Sequence, residues 1–137
     1  MKKLILARDS FGVKPIYYCE NDNGIFFSSE IKCFSELGVK NSELDYESIN
    51  YYLAYIWCPG KGTPVKNIKK ISPGEVLIVE NGTIKKSFYW YRHPYLKKRK
   101  IINSKSECIK ETEKFLRAAV QKQLISDVPL GSFLSGG

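Results

Sequence analysis

Short apolar runs at Leu4–Ala7, Ile16–Cys19 and Ile25–Ser28 predict three β-strands near the start of the chain. Gly12 and Pro15 mark the turn between the first two, and Glu20–Gly24 ends in Asn-Gly, a strong hairpin signal. Ile31, Phe34 and Leu37 then recur every three residues and predict a helix that Gly38 stops. Asp45 is placed to cap a second helix, with Leu44 stapling against Ile49. Its buried stripe is expected to be Ile49, Tyr52, Leu53 and Ile56. Cys58–Pro64, with two prolines and two glycines, must end it. Glu75–Val79 and Thr83–Trp90 predict a second hairpin around Asn81-Gly82, with Ile84, Phe88 and Trp90 on one face.

The pattern changes near residue 100. Tyr91–Asn103 is charged and reads as a linker, after which Ser104 and Glu107 form a capping-box signature. The helix they open carries an apolar stripe of Ile109, Thr112, Leu116, Ala119, Val120 and Leu124. Val128–Leu134 lacks polar alternation, as a strand buried on both faces would, and runs into Ser135-Gly136-Gly137. Hairpins before the linker imply antiparallel sheet. Helix, buried strand and glycine turn after it are how a doubly wound α/β domain begins.

Composition narrows the function classes. The 137 residues suit one domain or two pieces of larger ones, and a 43% hydrophobic content supports a core. Lys and Arg number 22 against 14 Asp and Glu, a net +8 concentrated at Lys66–Lys70 and Lys97–Lys105. Clusters of this kind are first of all solvated loops; a nucleic-acid contact through Lys97–Lys100 is the alternative. The aromatic residues fall on predicted strand and helix faces and are better placed for packing than for base stacking.

Cys19, Cys33, Cys58 and Cys108 have neither zinc spacing nor a disulfide framework. They are expected to be reduced thiols filling small buried apolar positions. No apolar run approaches a signal peptide or a membrane span, so the chain is expected to be soluble and cytoplasmic. His93, the one histidine, has no partner at metal or triad spacing and reads as structural.

Three blocks carry a family resemblance. SDVPLGSFLSGG, residues 126–137, resembles the opening of the synthetase domain of glutamine-hydrolysing asparagine synthetases, whose loop is S-G-G-x-D-S. LILARDSFGVKPIYYCENDNGIFFSSEIK, residues 4–32, resembles that family's R-D-x-x-G-x-x-P-L-Y-Y segment followed by a hairpin and S-E-I-K. Here Ile16 replaces the usual leucine. Residues 52–90 resemble its helix, Pro-rich turn and closing hairpin.

The resemblance implies an α+β fold: the C-terminal part of an N-terminal-nucleophile αββα glutaminase domain over 1–92. A linker at 93–103 follows, and 104–137 would hold the first helix and strand of an α/β adenine-nucleotide-hydrolase-like domain. It implies that Leu134, Ser135, Gly136 and Gly137 lie against ATP, whose Mg2+ travels with it. Taken without the resemblance, Ser-Gly-Gly is as compatible with a flexible tail.

The implied reaction activates aspartate with ATP and attacks the acyl-adenylate with ammonia from glutamine, with Val13 and Leu134 lining the ammonia channel. Small-molecule substrates are the implied partners, without nucleic acid or membrane, and the resemblance allows a homodimer of the full-length enzyme. The family's nucleophile is a cysteine directly after the initiator Met; Lys2 stands there, so no catalytic residue is assigned. The chain alone is expected to be an inactive piece of a longer enzyme that aggregates or stays partly unfolded. An acceptor other than aspartate, such as a sugar, and a non-catalytic interaction module remain as alternatives. Arg8 and Asp9 read either as part of the glutaminase site or its domain contact, or as an ion pair fixing a turn.

Overall fold

The computed structural model describes residues 2–39, 43–91, 101–134 and 136. The chain divides into two compact units, Met1–Leu96 and Lys97–Gly137.

The first unit contains β1 (Lys3–Ala7), β2 (Tyr17–Asn21), β3 (Gly24–Ser28), α1 (Cys33–Glu36), α2 (Tyr46–Tyr55), β4 (Lys69–Lys70), β5 (Glu75–Glu80) and β6 (Thr83–Tyr89). They form two antiparallel three-stranded sheets, ordered β1-β5-β6 and β3-β2-β4. Leu6, Tyr18, Ile71 and Leu77 are buried together, drawing in Leu4, Ile16, Ile25 and Ile84. These residues come from both sheets, so burial of their apolar surface holds the sheets face to face. A second cluster, Cys19, Phe34 and Ile68, seats α1 on the other face of β2.

Local chemistry explains the turns. Asn81 and Gly82, at φ 53° and 82°, form a two-residue loop between Glu80 and Thr83, the backbone that a right-twisted hairpin favours. In the first hairpin the loop is Asp22-Asn23; Gly24, at φ 117°, pairs with Asn21 and already belongs to β3. The Asn-Gly pair therefore sits one residue later than a central-pair reading would put it. Asp45 caps α2 as expected, accepting from the Glu47 and Ser48 backbone N–H groups.

Two expectations for this unit need correction. A bulge shifts the β5–β6 register between Ile78 and Val79, so Ile84 lies opposite Val79 while Phe88 lies opposite Val76. The extra residue puts Ile84 and Phe88 on opposite faces. On α2, Ile49 is half-buried, but Tyr52, Leu53 and Ile56 are exposed, Leu53 to 71%. The periodicity marks an apolar face correctly, but among the described residues no element of the unit covers it.

The second unit contains α3 (Lys105–Gln123), whose N-cap Ser104 accepts from the Glu107 N–H at 3.3 Å. None of its residues is buried, including the expected stripe. The predicted strand over Val128–Leu134 does not form. Pro129 lacks an N–H, and the described residues of this unit offer no strand to pair with. The expected linker, apart from Tyr91 and residues 101–103, lies outside the described residues, as do His93 and Lys97–Lys100.

Candidate functional site

The most constrained stretch outside the sheets is Arg8–Lys14, between β1 and β2. Arg8 and Asp9 do fix this turn, but not by pairing with each other. The Arg8 guanidinium donates from Nε to the Lys14 carbonyl at 3.0 Å, from Nη1 to Ile71 at 2.6 Å and from Nη2 to Gly12 at 2.7 Å. A planar fork with donors on three nitrogens reaches carbonyls spread around the loop, where a lysine would offer a single compact ammonium. The Asp9 carboxylate accepts from the Phe11, Val13 and Lys14 N–H groups at 3.1, 2.9 and 3.0 Å. Those backbone donors, Lys14 and Val13 foremost, hold its carboxyl below the usual carboxylate range.

Gly12 completes the lock. Its φ is +67°, and a Cβ there would stand 2.7 Å from Pro73 Cγ and 3.0 Å from Arg8 Cζ. The backbone of the same two residues ties into the second hairpin: Arg8 N–H donates to Glu75, Gly74 N–H donates to Asp9, and Trp90 Nε1 donates to the Arg8 carbonyl at 3.1 Å. The result is a stiff crest that holds Phe11 and Val13 in solvent, Val13 at 76% exposure. Phe11 meets the Tyr91 ring at 5.8 Å.

Beside this loop lies a network that the sequence reading missed. Glu75 is fully buried, and its carboxylate accepts from Lys61 Nζ at 2.5 Å, Ser87 Oγ at 2.5 Å and the Ser72 N–H at 2.9 Å. Burial pushes its carboxyl up; the hydrogen bonds from Lys61, Ser87 and Ser72 and the Lys61 charge outweigh that and lower it. The signal was present. In Glu75–Glu80 alternation places Glu75 on the face of Leu77 and Val79, so a partner was required.

Of the residues expected at ATP, Leu134 is 97% exposed, and Ser135 and Gly137 lie outside the described residues. Nothing stands within 4 Å of where a Cβ on Gly136 would be. All four cysteines are free, yet only Cys19 is buried: Cys33 and Cys58 are half-buried and Cys108 is exposed, which corrects the expectation of four buried thiols. Among the described residues no helix is long and apolar enough to cross a membrane.

Comparison with known proteins agrees with the order of the two units. Residues 1–90 match the family model of a glutamine amidotransferase domain, and residues 111–137 match that of asparagine synthase. The chain thus belongs to the glutamine amidotransferase domain family. Relatives named as glutamine-hydrolysing asparagine synthetases match almost the whole chain, across both stretches. A Methanocaldococcus jannaschii protein assigned by name to the glutamine-hydrolysing asparagine synthetases is 34% identical over 98% of this chain and 26% of its own length. Asparagine synthetase [glutamine-hydrolyzing] 1 of Bacillus subtilis is 32% identical over 96% of the chain and 20% of its own. Amidase chry2 of Gibberella zeae is 31% identical over 99% and 20%. The chain spans about a fifth to a quarter of the length of these curated relatives.

Proposed function

We propose that this chain is the junction segment of a glutamine-dependent asparagine synthetase. In that reading residues 1–92 close an αββα glutaminase domain, 93–103 connect, and 104–137 open the ATP-dependent domain. The parent enzyme, a cytoplasmic protein able to form a homodimer, hydrolyses glutamine to glutamate and ammonia. Aspartate and ATP give β-aspartyl-AMP and pyrophosphate, and ammonia displaces AMP to yield asparagine. ATP, with its Mg2+, is a substrate, met by Leu134, Ser135, Gly136 and Gly137.

What this segment contributes is positioning. The observation that carries the reading is the succession, on one chain, of an amidotransferase match and an asparagine synthase match. The Arg8–Asp9 lock fits it: a loop held at so many points presents Phe11 and Val13 as a fixed apolar surface rather than a mobile one. Val13 and Leu134, both apolar and exposed, are assigned to the wall along which ammonia passes. An apolar wall keeps ammonia unprotonated and therefore nucleophilic.

Not every relative is named an asparagine synthetase, and a second reading has the same machinery amidate a carboxylate other than that of aspartate. The coding sequence on either side tests the proposal. Met-Cys in frame upstream and an Asp-Ser pair beyond Gly137 are expected; a continuous frame lacking both would refute it.

A further inference from the structure

Within the first unit a cleft of about 360 Å³ opens between the 56–64 loop and the second sheet. We propose that this cleft binds a small molecule with an aromatic or branched apolar body and a single carboxylate. Its walls are apolar and aromatic, from Tyr17, Ile31, Tyr52 and Trp57, and Lys70 supplies the charged group; Thr63 also lines it, but its hydroxyl is taken up by the Val65 and Ile68 backbone. That volume and a mainly apolar lining with few polar groups are the usual character of a small-ligand site.

Lys70 sets the charge of the ligand. Its Nζ donates to the Cys58 carbonyl, a neutral acceptor, and no carboxylate among the described residues pairs with it. Burial pushes the ammonium's pKa down, and the Arg8 charge adds to that against an opposing contribution from Cys58. Lys61, nine residues earlier, differs: its charge is met by Glu75. An ammonium drawn partly out of water beside an apolar cleft is stabilised by an incoming anion, because a nearby opposite charge favours the charged form and offsets its lost hydration.

The aromatic wall is fixed by an unusual backbone. Ile56 ends α2 at φ +60°, ψ 14°, a left-handed conformation that a β-branched residue rarely adopts. This turn takes the chain out of the helix and sets Trp57 among the lining residues. Strain of this kind gathers at ligand clamps.

The two tryptophans give a built-in control, since Trp57 lines the cleft and Trp90 does not. The full chain, 15N-labelled and kept below the concentration at which light scattering detects self-association, is titrated with 3-phenylpropionate and with its neutral amide, and the indole N–H resonances are followed by NMR. Trp57→Phe assigns the two signals. The Trp57 signal is expected to shift saturably and the Trp90 signal to stay, with the carboxylate bound at least ten-fold tighter than the amide. Lys70→Gln should abolish that preference, and Lys70→Arg should keep it. Absence of a saturable Trp57 shift up to about 10 mM overturns the proposal, since this lies beyond even weak specific binding. So do equal affinities for the two probes in the unsubstituted chain, which decide the matter even where a variant fails to fold. A preference that survives Lys70→Gln in a folded variant places the carboxylate elsewhere and overturns it too.

Discussion

Lys61 reaches Glu75 across 2.5 Å, its own side chain 40% exposed and the carboxylate fully buried. The pair ties the Cys58–Pro64 turn to the first strand-pair of the second hairpin, since Ser87 on β6 donates to the same oxygen. An uncompensated buried carboxylate is expensive, so the loop is held where the lysine is needed.

Lys61→Met should destabilise the first unit by about 1–2 kcal/mol in urea unfolding followed by tryptophan fluorescence. That is less than for a fully buried pair, because water screens the exposed ammonium. The sign with pH follows from Glu75, whose carboxyl is lowered from 4.5 in the folded state. Its contribution is fully present above pH 4.5 and is lost as pH falls through the depressed folded value. Lys61→Met should therefore flatten the acid limb of stability against pH. An unchanged acid limb would show that the pair does not set it.

Gly12→Ala tests the lock around Arg8. The left-handed backbone costs about 1–2 kcal/mol for a residue with a Cβ, and contact with Pro73 and Arg8 adds to that. A loss of about 2 kcal/mol or more is expected in the same urea titration, together with faster hydrogen exchange at Val13 and Lys14, whose N–H groups Asp9 holds. Unchanged exchange at those amides would mean that the loop does not depend on Gly12.

The open faces make a different prediction. Leu53 on α2 with Ile56 and Trp57 just after it, and Leu116 and Val120 on α3 with Leu124 at its C-cap, are all exposed. The chain by itself is expected to self-associate in light scattering, with residues 126–134 exchanging amide hydrogens without protection while Ile71 and Leu77 are strongly protected. Uniform protection in a monodisperse monomer would contradict this.

What the sequence revealed follows from where its signals are local. Asn81-Gly82 demanded a two-residue turn because only such residues accept positive φ cheaply, and Asp45 and Ser104 declared their helices through short side chains that reach back to N–H groups. The bulge at Ile78/Val79 was illegible, because one extra residue in a β-rich run leaves no compositional trace. Arg8 and Asp9 were legible as a turn device but not in their partners, since carbonyls as remote as Ile71 are set by the tertiary fold. Val128–Leu134 shows the reverse: its composition suits a buried strand, yet a strand exists only beside another, and this unit's described residues hold none. The cleft beside Lys70 was invisible because Tyr17, Trp57 and Lys70 are brought together only by the chain's return through β4.

Transfer of glutamine's amide nitrogen to aspartate is the function proposed for the parent protein. The decisive measurement supplies amide-15N glutamine, aspartate and Mg-ATP to the protein translated from the complete reading frame that contains these residues, with products read by mass spectrometry. The account predicts 15N-asparagine, AMP and pyrophosphate in equal amounts, and none of them from the 137-residue chain alone. Label released only as ammonia, or carried to another acceptor while aspartate stays unlabelled, would contradict it.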